Sequence, residues 1–349
     1  GNTLTVSALE TLTGGVGTDV VNITASGLTA LVTGIETLNG NSGQDAVTLG
    51  DSGGNTLTVS RLDTLVGSAG TDVVTLSGTT AGTLRVSSIE TLIGSAVTDV
   101  VILETGGNTL QVSGIETLAG GSGTDVVTLD SGGNTLTVSS LETLTGGTGT
   151  DVVTLGSGGN TLLVSDIETL TGGMGSDVVT LDSGGNTLTM SLVETLIGGA
   201  GTDVVTFAPP GNIGSLFVSG VETVVTPFQT LAINGTDTLI SLSAAPSSPG
   251  LTPASDRGVA GDSLTNATQP TLTGTAGADS VVHLYGNGVE VGVGTADGSG
   301  AWSIMPGTVL ADGAWTLTAK VVASGVESGA SGSLLLTIDT GAAAPSGLA

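Results

Sequence analysis

A tandem repeat of about 26 residues fills the first two thirds of the chain and limits the possible folds more than any other feature. Each unit carries Glu-Thr-Leu or a close variant, and successive motifs are 26, 27, 27, 26, 26, 26, 26 and 28 residues apart. Units this short cannot bury a hydrophobic face alone, so they must stack on one another. The acid of the motif is Glu10, Glu36, Asp63, Glu90, Glu116, Glu142, Glu168, Glu194 and Glu222.

Three short segments of each unit have the alternating apolar pattern of β-strands. In one unit they are residues 135–139, 141–144 and 152–155, bounded by Gly, Ser, Asn or Asp. No ten-residue segment of the unit both lacks Gly and keeps a helical period. The pattern therefore predicts an all-β fold, a parallel β-solenoid of about nine 26-residue coils that is roughly 43 Å long at about 4.8 Å per coil.

Composition narrows the classes of function. The 349 residues include 4 basic and 31 acidic side chains, a formal net charge of −27, which excludes binding of nucleic acid through its phosphates. Cysteine is absent, so disulfides and thiolate metal sites are excluded as well. No apolar run reaches the roughly 20 residues of a membrane span. Sixty glycines and only 2% aromatic residues are typical of an extracellular structural protein rather than of an enzyme.

An aspartate follows the motif acid by nine residues in the first eight units, after a glycine-rich stretch such as 146–150. These stretches resemble the glycine- and aspartate-rich nonapeptide of RTX secreted proteins, although the motif occurs here once per 26 residues instead of once per nine. The resemblance implies calcium bound by stacked loops through aspartates and backbone carbonyls. The metal ligands it predicts are Asp19, Asp45, Asp72, Asp99, Asp125, Asp151, Asp177 and Asp203.

Electrostatics gives a separate argument about these aspartates. If the eight stack in one column about 4.8 Å apart, neighbouring charges repel by roughly 0.9 kcal/mol even in water, and a divalent cation would reverse that sign. The alternative is that each aspartate caps its own glycine turn and points into solvent, where salt screens the repulsion. The motif acids form a second column, which we expect to be an exposed acidic ladder.

Two further polar patterns belong to the turns. Asp51, Asp130 and Asp182 precede a Ser-Gly-Gly-Asn sequence or its equivalent and are expected to form turns. A recurring asparagine ends the same turns, and its stacked amides are predicted to bond to one another from coil to coil. This asparagine is Asn2, Asn55, Asn108, Asn134, Asn160 and Asn186.

The repeat ends after Glu222, and a different module follows. We place a solenoid domain with a C-terminal cap at 1–243, a linker at 244–250, an antiparallel β-sandwich at 251–340 and a further linker at 341–349. Residues 266–276, 300–303 and 311–319 of the sandwich, with the closing Ile-Asp-Thr at 338–340, resemble the bacterial Ig-like modules of large surface adhesins. That resemblance implies a spacer or ligand-presenting role without catalysis.

Together these patterns predict a non-enzymatic, adhesive segment of a large bacterial surface protein, located outside the cell and stabilised by calcium. The expected partners are neighbouring modules of the same polypeptide, with possible self-association or a cell-surface or glycan ligand, and neither nucleic acid nor a membrane span. A surface-layer or filament subunit is the nearest alternative. A polysaccharide-cleaving β-helix enzyme is the third, which the single histidine, His283, and the scarcity of basic residues disfavour.

Overall fold

The fold was analysed in a computed structural model that describes residues 1–78, 82–207, 215–225, 230–232, 238–241, 245–256, 259, 261–323 and 326–341. Every regular element among these residues is a β-strand, which confirms the all-β fold class. None of them forms a helix long and apolar enough to cross a membrane. The chain divides into two compact units, whose main parts are residues 1–211 and 237–349.

The first unit is a roll made of two parallel sheets, and the chain alternates between them strand by strand. Odd-numbered strands form sheet 1: β1 Thr3–Val6, β3 Val20–Ile23, β5 Thr37–Asn39, β7 Thr56–Ser60, β9 Val73–Leu76, β11 Thr91–Ile93, β13 Thr109–Ser113, β15 Val126–Leu129, β17 Thr143–Thr145, β19 Thr161–Ser165, β21 Val178–Leu181, β23 Thr195–Ile197 and β25 Ser215–Ser219. Even-numbered strands form sheet 2: β2 Thr11–Thr13, β4 Thr29–Thr33, β6 Ala46–Leu49, β8 Thr64–Val66, β10 Gly82–Ser87, β12 Asp99–Leu103, β14 Thr117–Ala119, β16 Thr135–Ser139, β18 Val152–Leu155, β20 Thr169–Thr171, β22 Thr187–Ser191, β24 Val204–Phe207 and β26 Thr223–Val225.

One turn of the roll is shorter than one sequence repeat, which corrects the predicted coil. Thr109 pairs with Val126 and Val126 pairs with Thr143, so each of these turns takes 17 residues. The next turn, from Thr143 to its partner Leu163, takes 20. A turn contains two strands and a repeat contains three, so one repeat covers one and a half turns. The solenoid therefore has about 12 turns instead of nine and extends roughly 58 Å at about 4.8 Å per turn.

The core of the roll lies between the two sheets and is built from leucine and valine. Leu118, Val138 and Leu155 sit in register on three successive strands, and each is at most 2% exposed. Alternate residues of the same strands, mostly threonine, point outward, as the period of two requires. The strands are too short to be stable in isolation, so stability depends on continuous stacking from turn to turn.

The parallel run ends near the predicted cap. Sheet 1 closes with β28 (Thr238–Ser241), which pairs antiparallel with β25, and sheet 2 closes with β27 (Thr230–Ala232). An antiparallel last strand breaks the pattern that further parallel turns would need. Most of residues 226–244 lie outside the described part of the chain.

The second unit contains two sheets that enclose a core of their own. One sheet has the order β29-β31-β34, and the other has β30-β37-β35-β32-β33 with β36 paired to β35. Trp302, Leu284 and Leu317 are among the buried core residues. The strands are β29 Gly250–Leu251, β30 Leu264–Thr265, β31 Leu272–Thr275, β32 Val281–Gly286, β33 Val289–Thr295, β34 Ala301–Ile304, β35 Gly313–Ala323, β36 Val326–Glu327 and β37 Leu334–Ile338.

Residues just before this module are bonded to it. The Ser247 N–H donates to the Thr275 carbonyl at 2.8 Å, and the Ser247 hydroxyl accepts from the Thr275 N–H at 2.8 Å. Gly250 pairs with Thr273 as part of β29. The described part of the segment that we interpreted as a linker, 245–250, is thus attached to the second unit.

Candidate functional site

The eight predicted metal ligands lie inside the edges of the roll and not in one column. Because one repeat covers one and a half turns, successive aspartates alternate between the turns that enter sheet 1 and those that enter sheet 2. Asp125 and Asp177, for example, precede β15 and β21, which are three layers apart in sheet 1. Three layers correspond to about 14 Å, which is three times the spacing expected for a column. The predicted column of eight aspartate charges at about 4.8 Å is therefore wrong.

Each aspartate is buried and accepts a hydrogen bond from an N–H group of its own turn. All except Asp99 also accept one from an N–H group of the preceding turn. At Asp125, which is 0% exposed, Oδ1 accepts from the backbone and side-chain N–H groups of Asn108, both at 2.8 Å, and Oδ2 accepts from the Gly121 N–H at 2.9 Å. The backbone N–H of Asp125 donates to Oε2 of Glu142 in the following turn at 2.7 Å. One residue thus connects three successive turns.

The same arrangement recurs along both edges. All eight aspartates accept through Oδ2 from the backbone N–H four residues earlier. All eight donate their own N–H to a carboxylate of the next turn. Six are bonded to an asparagine of the preceding turn, and Asp45 accepts from the Leu28 N–H instead. Asp99 differs, since Gly82 stands where the asparagine would be and no bond from it to Asp99 is seen in the described residues.

Two other predicted ladders are corrected by these contacts. The asparagine amides do not bond to one another in succession, because each side chain from the six positions donates to the aspartate 17 residues later. The motif acids are not a purely exposed ladder either. Glu142 and its equivalents use one carboxylate oxygen to accept the aspartate N–H of the preceding turn. Over most of its length, each edge repeats Asn, Asp and Glu in successive turns, which we term the edge ladder.

Close stacking of neighbouring turns explains the glycine five residues before each aspartate, which is present in all eight repeats, whereas Asn41, Ser68 and Ser95 take the place of the next glycine in three of them. A Cβ on Gly146 would lie 1.7 Å from the Asp166 carbonyl oxygen of the following turn, and one on Gly147 would lie 1.7 Å from the Asp130 carbonyl oxygen of the preceding turn. A Cβ on Gly149 would lie 2.4 Å from the Gly133 nitrogen. The glycine pattern that resembles a calcium loop therefore also follows from the close stacking of backbone on backbone.

The three aspartates that precede the Ser-Gly-Gly-Asn sequences stabilise local chain reversals, as predicted. Oδ1 of Asp51, Asp130 and Asp182 accepts from the backbone N–H two residues later at 3.0, 3.2 and 3.0 Å. These bonds are local and do not join one turn of the roll to the next. Asp130 and Asp182 also accept from the amides of Asn134 and Asn186, which are the groups that reach the next turn.

The first aspartate gives the roll a dependence on acid. The pKa of Asp19 lies below its ordinary value of 3.8, chiefly because the Gly15 and Asn2 backbone N–H groups donate to the carboxylate, and burial opposes that shift only in part. A lowered folded-state pKa stabilises the fold above the unfolded-state value and loses this effect as the pH falls through the folded-state value. We expect Asp19→Asn to flatten the decline in melting temperature below about pH 4. Melting curves across that range would check this, and identical acid limbs for both proteins would contradict it.

The second unit has buried polar atoms in one place and a cluster of charged side chains in another. Within the described part of the chain, Oδ1 of Asp256 and Oγ1 of Thr252 are buried without a hydrogen-bond partner. On the face of β32, the His283 ring nitrogen Nδ1 lies 2.8 Å from Glu290, and Tyr285 and Lys320 both bond to Glu327. Burial and the neighbouring Glu327 raise the pKa of Tyr285 to about 12. These side chains thus pair with one another through ion pairs and hydrogen bonds.

Comparison with known families agrees with this division of the chain. Residues 243–340 match the bacterial Ig-like domain, and residues 112–138, 142–162 and 169–188 match the RTX calcium-binding nonapeptide repeat. The chain therefore joins RTX-type repeats to a bacterial Ig-like domain. No curated protein matches the chain. The nonapeptide repeats of the RTX type bind calcium, which supports calcium as the ion that this repeat implies.

The predicted ligands of the RTX-type roll do not fit that ion. Calcium takes about six to eight oxygen ligands, whereas the Asp125 oxygens already accept three N–H donors whose hydrogens carry positive partial charge. Among the described residues, no group of three or more acidic or histidine side chains comes together to hold a metal.

Proposed function

We propose that this chain is a non-enzymatic, load-bearing and adhesive segment of a large secreted protein on a bacterial cell surface. The single observation that carries the proposal is the roll itself, in which about 12 turns are joined by uninterrupted parallel pairing and by the edge ladder. Each turn holds the next through backbone hydrogen bonds along both sheets, which suits a stiff spacer. The Ig-like domain that follows is of a type that occurs in surface proteins.

An equivalent repeated surface offers no singular site of the kind that catalysis uses. The families found are repeat and Ig-like types without catalysis, which supports a structural role. The strongly acidic composition keeps such a segment soluble and separated from other acidic surfaces. A surface-layer or filament subunit remains the second candidate, because threonines recur on the outer faces of both sheets.

The proposal is tested on bacteria that express the full-length protein. Antibodies against the roll should label intact cells, external protease should remove that label, and deletion of the segment should reduce attachment to surfaces or to other cells. Imaging of the purified chain separates the alternatives: isolated rods support a spacer, whereas a lattice or filament supports the subunit. Release of reducing ends from bacterial exopolysaccharides would support an enzyme and contradict the proposal.

The Ig-like domain is expected to fold alone, because its core residues all come from within the domain. A piece spanning residues 243–340 should give a dispersed NMR spectrum and a cooperative melting transition. A piece that begins at residue 252 should be less stable, since it lacks the pairing of Gly250 and both bonds of Ser247. A collapsed spectrum for the longer piece would contradict this domain boundary.

A further inference from the structure

The repeat type implies calcium, but the surroundings of its aspartates point to another role. We propose that the buried aspartates of the roll are metal-free staples, which hold successive turns together through N–H donors, and that the roll does not need calcium at these positions to fold. The proposal concerns Asp19, Asp45, Asp72, Asp125, Asp151, Asp177 and Asp203; Asp99 is left aside because it lacks the donor from the preceding turn.

The first support is that both oxygens of each carboxylate already accept hydrogen bonds from N–H donors. At Asp151, Oδ1 accepts from the backbone and side chain of Asn134, both at 2.9 Å, and Oδ2 accepts from the Gly147 N–H at 2.9 Å. Charge-assisted bonds of this kind are about twice as strong as neutral ones. A cation in the same place would have to displace these donors, leave two backbone N–H groups without partners and break one bond of the Asn134 amide.

The second support is that the edge ladder separates the aspartates from one another. Asp151 has an asparagine in the turn before it and a glutamate, Glu168, in the turn after it. The next aspartate on the same edge, Asp203, is three layers away. Along this part of the edge the aspartates therefore do not follow one another in successive turns, as the stacked loops implied by the repeat type would have them.

The third support is that the glycine-rich turn is closed by the turns around it. The glycines at 146, 147 and 149 have a backbone atom of an adjacent turn where a Cβ would stand. Close stacking therefore accounts, without an ion, for Gly146, whose place is glycine in all eight repeats. In this roll, where the pattern recurs once in every one and a half turns, it therefore forms the hydrogen-bonded edge ladder.

The test compares Asp151→Asn with Asp130→Asn in the full chain, each melted in chelator, in millimolar calcium and in millimolar magnesium. Asparagine at 151 would turn an amide N–H toward the Gly147 N–H donor. We therefore expect its melting temperature to fall by about 5 °C, equally with and without calcium. Asp130→Asn, in a local turn bond, should change the melting temperature by less than about 2 °C. The parent should keep its β-sheet circular dichroism in chelator.

Ion counting by native mass spectrometry completes the test. Calcium bound equally by the parent and by Asp151→Asn supports the proposal, because that calcium lies elsewhere in the chain. Unfolding of the parent's roll by chelator would overturn it. Loss of a bound calcium in Asp151→Asn, together with a stability loss confined to calcium-containing buffer, would overturn it as well.

Discussion

Replacing Gly146 with alanine is expected to unfold the middle of the roll or to destabilise it by more than about 4 kcal/mol. The new Cβ would stand 1.7 Å from the Asp166 carbonyl oxygen. That oxygen belongs to the backbone of the following turn and cannot rotate away. The two turns would have to separate, which would break the parallel pairing beside them as well as the Asp151 bonds. Circular dichroism and chemical unfolding of the full chain would measure the effect.

Gly132 is the control, because it lies in the same part of the roll. A Cβ built there would meet its nearest neighbour, Oδ1 of Asp130, at an ordinary contact distance of 3.5 Å. Gly132→Ala should therefore leave the free energy of unfolding within about 0.5 kcal/mol of the parent. If both substitutions were equally harmless, the close stacking of turns would not be the reason for glycine in this motif.

Truncation of a core leucine is the second change with a large expected effect. Leu162 is 2% exposed and faces the interior of the roll, whereas its neighbour Leu163 in the same strand is 38% exposed and faces outward. Leu162→Ala should cost about 2 to 5 kcal/mol, because it removes buried apolar contacts and leaves a cavity.

Leu163→Ala removes the same atoms from the opposite face of the same strand and should cost less than about 1 kcal/mol. Chemical unfolding of the two variants beside the parent measures the difference. Similar losses for both would mean that the two faces of the strand are not inside and outside as the burial pattern has them.

The strand content and the parallel stacking could be predicted from the repeat. The length of one turn could not, because it differs from the length of one repeat. Three strands per repeat were visible in the alternating pattern, whereas the number of strands per turn depends on how the chain folds back. A signal for the shorter turn is present in the sequence: Asn108, Asp125 and Glu142 are spaced by 17 residues each. Residues that bond across adjacent turns must be separated by one turn, and that spacing is the turn length.

The aspartates were recognisable as a site and their surroundings were not. Their regular spacing and the glycines before them marked them as important, and the resemblance to RTX repeats suggested an ion. Asp125 is 0% exposed because the turns on either side cover it. A predicted turn of 26 residues places the wrong residues in those neighbouring turns. With the turn of 17 residues, Asn108 and Glu142 lie next to Asp125. Its carboxylate then faces N–H donors, whereas a column of metal ligands would place further aspartates there.

Because one repeat covers one and a half turns, such a rod is also restricted in how it can be lengthened or shortened. Adding or removing a single 26-residue unit carries every later turn to the opposite edge and exchanges the sheets to which its strands belong. Adding two units, which together make three full turns, restores the original side. A rod built this way therefore keeps the orientation of whatever it carries only when it grows or shrinks by pairs of repeats.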